Sequence, residues 1–161
     1  MTPTFDGAKA ILVAAAIGLA IPGIGAANEN DKREISSYAL SEAGLAKFTQ
    51  ATQKLSAVEG ACATEDDDDD SDTQSLDQMV TKLNAVPGAQ AAIQSAGMTT
   101  REYVVFMWSM MQSGMSAWAQ SQSGKLPPGV SQANVDFYKK HEAEMKALGE
   151  NDPCGDEEAE E

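Results

Sequence analysis

The stretch Met98-Thr99-Thr100-Arg101-Glu102-Tyr103-Val104-Val105-Phe106-Met107-Trp108-Ser109-Met110-Met111 decides the fold. Thr99 and Glu102 stand three apart in front of an apolar run, the spacing at which each side chain satisfies a backbone N–H at a helix start. Met98, just before that cap, is placed to pack on Tyr103 as a hydrophobic staple. From Tyr103 to Met111 the residues are apolar almost all round, which predicts a helix at the buried centre of a bundle. Gly114, Met115 and Trp118 continue it. The block is too short to cross a bilayer, which needs roughly 20 apolar residues.

Helical periodicity extends to both sides. Upstream, Tyr38, Leu45, Phe48, Leu55 and Val58 recur at threes, fours and sevens from Ile35 on, predicting one helix that Gly60 stops. A second helix is expected from about Ser75, its cap, to Asn84, with Leu76, Met79, Val80 and Leu83 on its apolar face. Val86-Pro87-Gly88 breaks the chain, and Pro87 is expected to open a short Ala-rich helix carrying Ile93. Gly97 ends it in the left-handed conformation. Downstream, 121–130 reads as a loop around Pro127, Pro128 and Gly129. The last helix starts near Ser131 or Asn134, with Val135, Tyr138, His141, Met145 and Leu148 on one stripe and Gly149 as its end. No strand pattern competes. The expected fold is all-α: a small bundle of four to five antiparallel helices joined by short loops.

The termini read differently. Lys9 is followed by the unbroken apolar run Ala10 to Ala20, then Pro22-Gly23 and the small residues Gly25-Ala26-Ala27 ahead of Asn28-Glu29-Asn30-Asp31. This is the form of a secretory signal peptide, with small side chains one and three positions before a cut after Ala27. The alternative is a retained membrane anchor, for which the run is short. The expected organisation is therefore a signal peptide at 1–27, a lead at 28–34, a helical domain at 35–149 with an acidic loop at 61–74, and an acidic disordered tail at 150–161. Export places the protein in the periplasm or outside the cell.

Charge and cysteines narrow the partners. The formal net charge is -14, and residues 1–27 hold only Asp6 and Lys9, so removing them leaves it unchanged. Such a chain repels nucleic acid and anionic membrane surfaces, and no membrane insertion is expected after cleavage. Cys62 and Cys154 are the two cysteines. In an exported chain they are expected to form a disulfide, worth about 4–5 kcal/mol for so long a loop.

Several residues together carry a resemblance: Ala96-Gly97-Met98-Thr99-Thr100-Arg101-Glu102-Tyr103, then Leu126-Pro127-Pro128-Gly129-Val130, then Asn134-Val135-Asp136-Phe137 and His141. From about Tyr38 to Leu148 the chain resembles a group of small exported bacterial proteins of uncharacterised function. The resemblance implies an exported helical domain and no activity.

Candidate sites are few. His141 is the single histidine. It reads either as a half-buried histidine with one hydrogen-bonded nitrogen or as an axial ligand to haem or copper with a methionine opposite. Exported four-helix bundles that hold haem with a His on the last helix and a Met are similar only in that arrangement, and this chain has no Cys-x-x-Cys-His attachment motif. Met107, Met110, Met111 and Met115 lie on two adjacent faces of one helix. Thioethers suit Cu(I), and they are also adaptable core fillers or a surface for a partner. Asp66, Asp68, Asp70, Asp72 and Asp77 fall at positions one, three, five, seven and twelve of a calcium-type loop. Ser71 stands where that loop needs glycine, and Asp77 where it needs glutamate; the alternative is a solvated spacer. No Gly-x-Ser-x-Gly elbow, paired buried carboxylate or second histidine accompanies the many serines, so no enzyme and no cofactor are expected. The leading expectation is a non-enzymatic binding or interaction protein for an unknown protein or small ligand. A metal (copper) or haem carrier and a calcium-responsive module are the alternatives.

Intact-mass measurement of the exported protein is expected to give a chain beginning at Asn28. A chain that keeps Met1 and partitions with membranes would overturn the cleavage reading.

Overall fold

A computed structural model describes residues 29–59 and 75–150, the side chain of residue 150 excepted. The signal-peptide segment, Cys62, Cys154, the run from Asp66 to Asp72 and the acidic tail beyond residue 150 lie outside the described residues. Those described are all-helical, with no strand among them. Six helices follow one another: α1 (Glu29–Ser37), α2 (Glu42–Leu55), α3 (Leu76–Ala85), α4 (Ala89–Ser95), α5 (Thr100–Ser123) and α6 (Gln132–Glu150).

The expected first helix is two helices, and the expected lead at 28–34 is helical from Glu29 on. The chain breaks between Ser37 and Glu42 because both ends of the break are held. Ser41 caps α2, its Oγ accepting from the Gly44 N–H at 3.1 Å. Asn134, only 6 % exposed, reaches across from α6. Its Oδ1 accepts from the Leu40 N–H at 3.1 Å, and its Nδ2 donates to the Tyr38 carbonyl at 2.7 Å. The backbone groups that the break frees are thus satisfied by a side chain 94 residues away. α1 is tied down elsewhere by Asp31, buried, whose Oδ2 accepts from the Leu76 N–H at 3.1 Å at the start of α3.

The other boundaries follow local chemistry. Ser75 and Gln78 form a capping box on α3. On α5, Thr99 Oγ1 accepts from the Glu102 N–H at 3.1 Å while Glu102 Oε2 accepts from the Thr99 N–H at 2.8 Å. Pro87 lies outside α4 rather than at its first turn, because Gly88, with φ of 89°, takes the cap position. Gly97 ends α4 with φ of 83°. Its N–H bonds to Gln94 O at 2.9 Å and the Met98 N–H to Ile93 O at 3.4 Å, the paired bonds of a left-handed helix terminus. α5 runs on to Ser123, past the loop start expected at Ser121. Ser131 leads into α6, its Oγ accepting from the Asn134 N–H at 3.4 Å.

α5 is the axis of the fold and packs against all five other helices. Phe106 is fully buried in its first half. Phe48 stacks between Phe106 and Tyr103, with ring centroids 4.9 Å from each, and Tyr38 meets Phe106 edge-on at 6.1 Å. Ile35, Leu45, Ala51, Leu55, Leu76 and Ile93 fill in around this stack. Farther along α5, Gly114 lets α6 approach: a Cβ there would lie 2.7 Å from the Tyr138 ring.

Asn134→Ala strands two backbone groups and is expected to destabilise the protein by about 2–3 kcal/mol in urea unfolding. Asn134→Asp keeps the acceptor for Leu40 but turns an anionic oxygen on the Tyr38 carbonyl, and should be comparably destabilised. A change below about 0.5 kcal/mol in both would show that the break is not held by Asn134.

Candidate binding face on the central helix

Between Glu102 and Lys125 the chain has no charged residue and no histidine, so beyond its first turn neither ionisation nor ion pairing sets which side of α5 faces water. From Met107 onward the usual order is inverted. Ser109, Ser113 and Ser116 are buried at 1–2 % exposure, while Met107, Met111 and Trp118 stand out at 38 %, 42 % and 64 %. Met115 is half-buried. The inward hydroxyls are small enough to let α1 and α6 close in. Ser113 Oγ donates to the Ser109 carbonyl one turn back at 2.6 Å, and Ser109 Oγ donates to the Ile35 carbonyl of α1 at 3.1 Å.

The four methionines singled out on this helix therefore separate. Met110 is core, 1 % exposed. Met107, Met111, Met115 and Trp118 recur at fours and threes and share one outward face. The buried centre expected of this helix holds for Phe106. It holds partly for Trp108, which is half-buried with its Nε1 donating to Met79 Sδ at 2.8 Å. It fails for Trp118, the most exposed large apolar side chain among the described residues.

His141 lies on α6. Its side chain is 12 % exposed and lies against the Phe137 ring, centroids 4.5 Å apart. Nε2 is 3.1 Å from Glu42 Oε1 on α2 and Nδ1 is 3.2 Å from Glu144 Oε2. Both ring nitrogens face carboxylates, rather than the single bonded nitrogen expected. Glu42 also takes the Lys140 ammonium, and the hydrogen bonds from Lys140 and His141 hold its carboxyl below the ordinary value of 4.5. The cluster joins the first turn of α2 to α6, a tie invisible in a sequence where its members lie about a hundred residues apart.

Asp77, the last residue of the calcium-type spacing, is in the first turn of α3 and pairs with Arg101 Nη1. Arg101 also grips Glu34 with two nitrogens, Nε at 2.9 Å from Oε1 and Nη2 at 2.6 Å from Oε2. That fork lowers the Glu34 carboxyl below 4.5 and raises the guanidinium above its own ordinary value. Among the described residues no group of three His, Cys, Asp or Glu side chains is placed to hold a metal ion, and no helix is long and apolar enough to cross a membrane. Comparisons with protein-family models, curated proteins and solved structures give no match.

Because Glu34 is lowered in the folded state, its contribution is present above its unfolded value and is lost as pH falls through the folded one. Both partners are more than a third exposed, so the pair contributes about 1 kcal/mol or less. Arg101→Met is expected to lower Tm by a few degrees at neutral pH, and the gap to wild type should close as pH drops below about 4.5. A gap that persists unchanged in acid would mean that Arg101 acts by packing alone.

Proposed function

We propose that this is an exported, non-enzymatic protein that works by binding, and that its binding surface is the outward face of α5. The observation that carries the reading is the inverted order of that helix: serines inside, Met107, Met111 and Trp118 outside. Burying a large apolar side chain is worth about 1.5–3 kcal/mol relative to leaving it exposed. A helix that buries serine and presents methionine and indole forgoes that stabilisation, and an apolar surface of this kind marks an interaction site.

The rest of the reading rests on the sequence. The 1–27 segment is taken as a cleaved signal peptide, which sets the protein in the periplasm or outside the cell. There Cys62 and Cys154 join, and the resemblance to small exported helical proteins agrees. The helices are taken as one antiparallel bundle around α5. Net charge of -14 turns away nucleic acid and anionic lipid. The carrier reading built on His141 is not favoured, since both ring nitrogens face carboxylates. Nor is the calcium reading, since Asp77 pairs with Arg101.

Methionine oxidation in the native compartment tests the surface. In purified protein Met107 and Met111 are expected to oxidise quickly and buried Met110 slowly. In intact cells Met107 and Met111 should be protected several-fold while Met110 stays slow. Equal rates in cells and in solution would mean the face is bare where the protein works, and the reading would fall.

A further inference from the structure

The side chains available to a ligand on this face are few in kind. From Met107 to Ser123 there is no Leu, Ile or Val and no charged residue. Its exposed large apolar side chains are Met107, Met111 and Trp118, with Met115 half-buried beside them. Protein-docking faces also use methionine and tryptophan, but their anchors include arginine and tyrosine, and this stretch contains neither. What it does contain is thioether sulfur at every fourth position, in a protein whose net charge of -14 draws cations to its surface.

Helix geometry decides how many sulfurs one ion can use. Met107 and Met115 are eight residues apart, about 12 Å along the axis, too far for both sulfurs to touch one ion at about 2.3 Å. Residues four apart have Cβ atoms about 6 Å from each other. Two flexible thioether chains close that gap onto a two-coordinate ion between them. Met111 belongs to both such pairs, and Met107 is its more exposed neighbour.

Resting on the binding face proposed above, we propose that Met107 and Met111 bind one soft monovalent cation, Cu(I) or its closed-shell analogue Ag(I), with Trp118 next along the face. Thioether sulfur prefers such ions to hard or borderline ones. It has no proton to lose, so binding through it is independent of pH, whereas a histidine ligand is lost as its ring protonates.

Titrating the exported protein with Ag(I) tests this without electron transfer, read by tryptophan fluorescence and by native mass. The expected result is one saturable ion at micromolar concentration, with the same affinity at about pH 5.5 and about pH 7.5. Met107→Leu and Met111→Leu should each weaken it at least tenfold. Met110→Leu should leave it unchanged, and so should the pair Cys62→Ser and Cys154→Ser, which removes competing sulfur. Met107 and Met111 are exposed and leucine is a near-isosteric helix former, so circular dichroism should find both variants folded. Absence of saturable binding, binding lost with the cysteines, or binding that survives Met111→Leu would each overturn the proposal. If the ion fails while Met107 and Met111 remain protected in cells, the face stands and its occupant is a macromolecule. If that protection also fails, the face itself falls.

Discussion

Phe106 is the side chain on which the other elements depend. It is fully buried, stacked on Phe48 of α2 and met edge-on by Tyr38 in the break before α2. Aromatic pairs at these separations contribute beyond their area, about 0.5–1.5 kcal/mol each. Their geometry also fixes where α2 lies relative to α5. The fit is close: a Cβ on Gly44 would come within 3.0 Å of the Phe106 ring. With Phe48 also stacked on Tyr103, one side of α5's first half is committed to α2. Tyr38 follows the end of α1 at Ser37, and the backbone freed there is held by Asn134 from far along the chain.

This dependence explains what the sequence could and could not say. The capping boxes at Thr99 and Ser75 and the left-handed end at Gly97 are local: each is complete within a few residues, so spacing alone located them. The centrality of α5 was legible for the same reason, since apolar residues all round a helix demand neighbours on every side. The break at 38–41 was not. Tyr38, Leu45, Phe48 and Leu55 keep helical spacing across it, and the side chain that holds it open is supplied by Asn134, which the sequence offered only as a possible helix start. Ser41, which caps α2, sits inside that unbroken periodicity and so went unread. The extra helix count follows from this one tertiary contact overriding a local pattern.

The candidate site divides along the same line. That methionines cluster on one helix was plain, but whether they point inward was not, because serine, glycine and alanine at the alternate positions give the second half of α5 little amphipathic contrast. Packing chose the small residues for the inside. Ser109 sits where α1 comes close, and Gly114 sits under Tyr138 of α6. Leucine at those positions would hold the neighbours off, so close approach was achieved at the expense of apolar burial. His141 shows the converse: its stripe pointed to burial, and the structure half-buries it, but its partners Glu42 and Glu144 turn it into a tie between α2 and α6.

The second half of α5 is therefore under two demands that conflict. Close packing with α1 and α6 calls for small side chains inward, and their hydroxyls must be satisfied, as Ser113 is by the carbonyl of Ser109. Ordinary solubility favours charged side chains outward, and the chain, acidic elsewhere, places none between Glu102 and Lys125. The first demand explains Ser109, Ser113, Gly114 and Ser116. It does not call for Met107, Met111 or Trp118 in particular, since glutamate and lysine favour a helix about as well. Stability thus accounts for the inner face of α5 and leaves the outer one unexplained. It is on that remainder, rather than on the mere presence of methionine, that the proposed binding face rests.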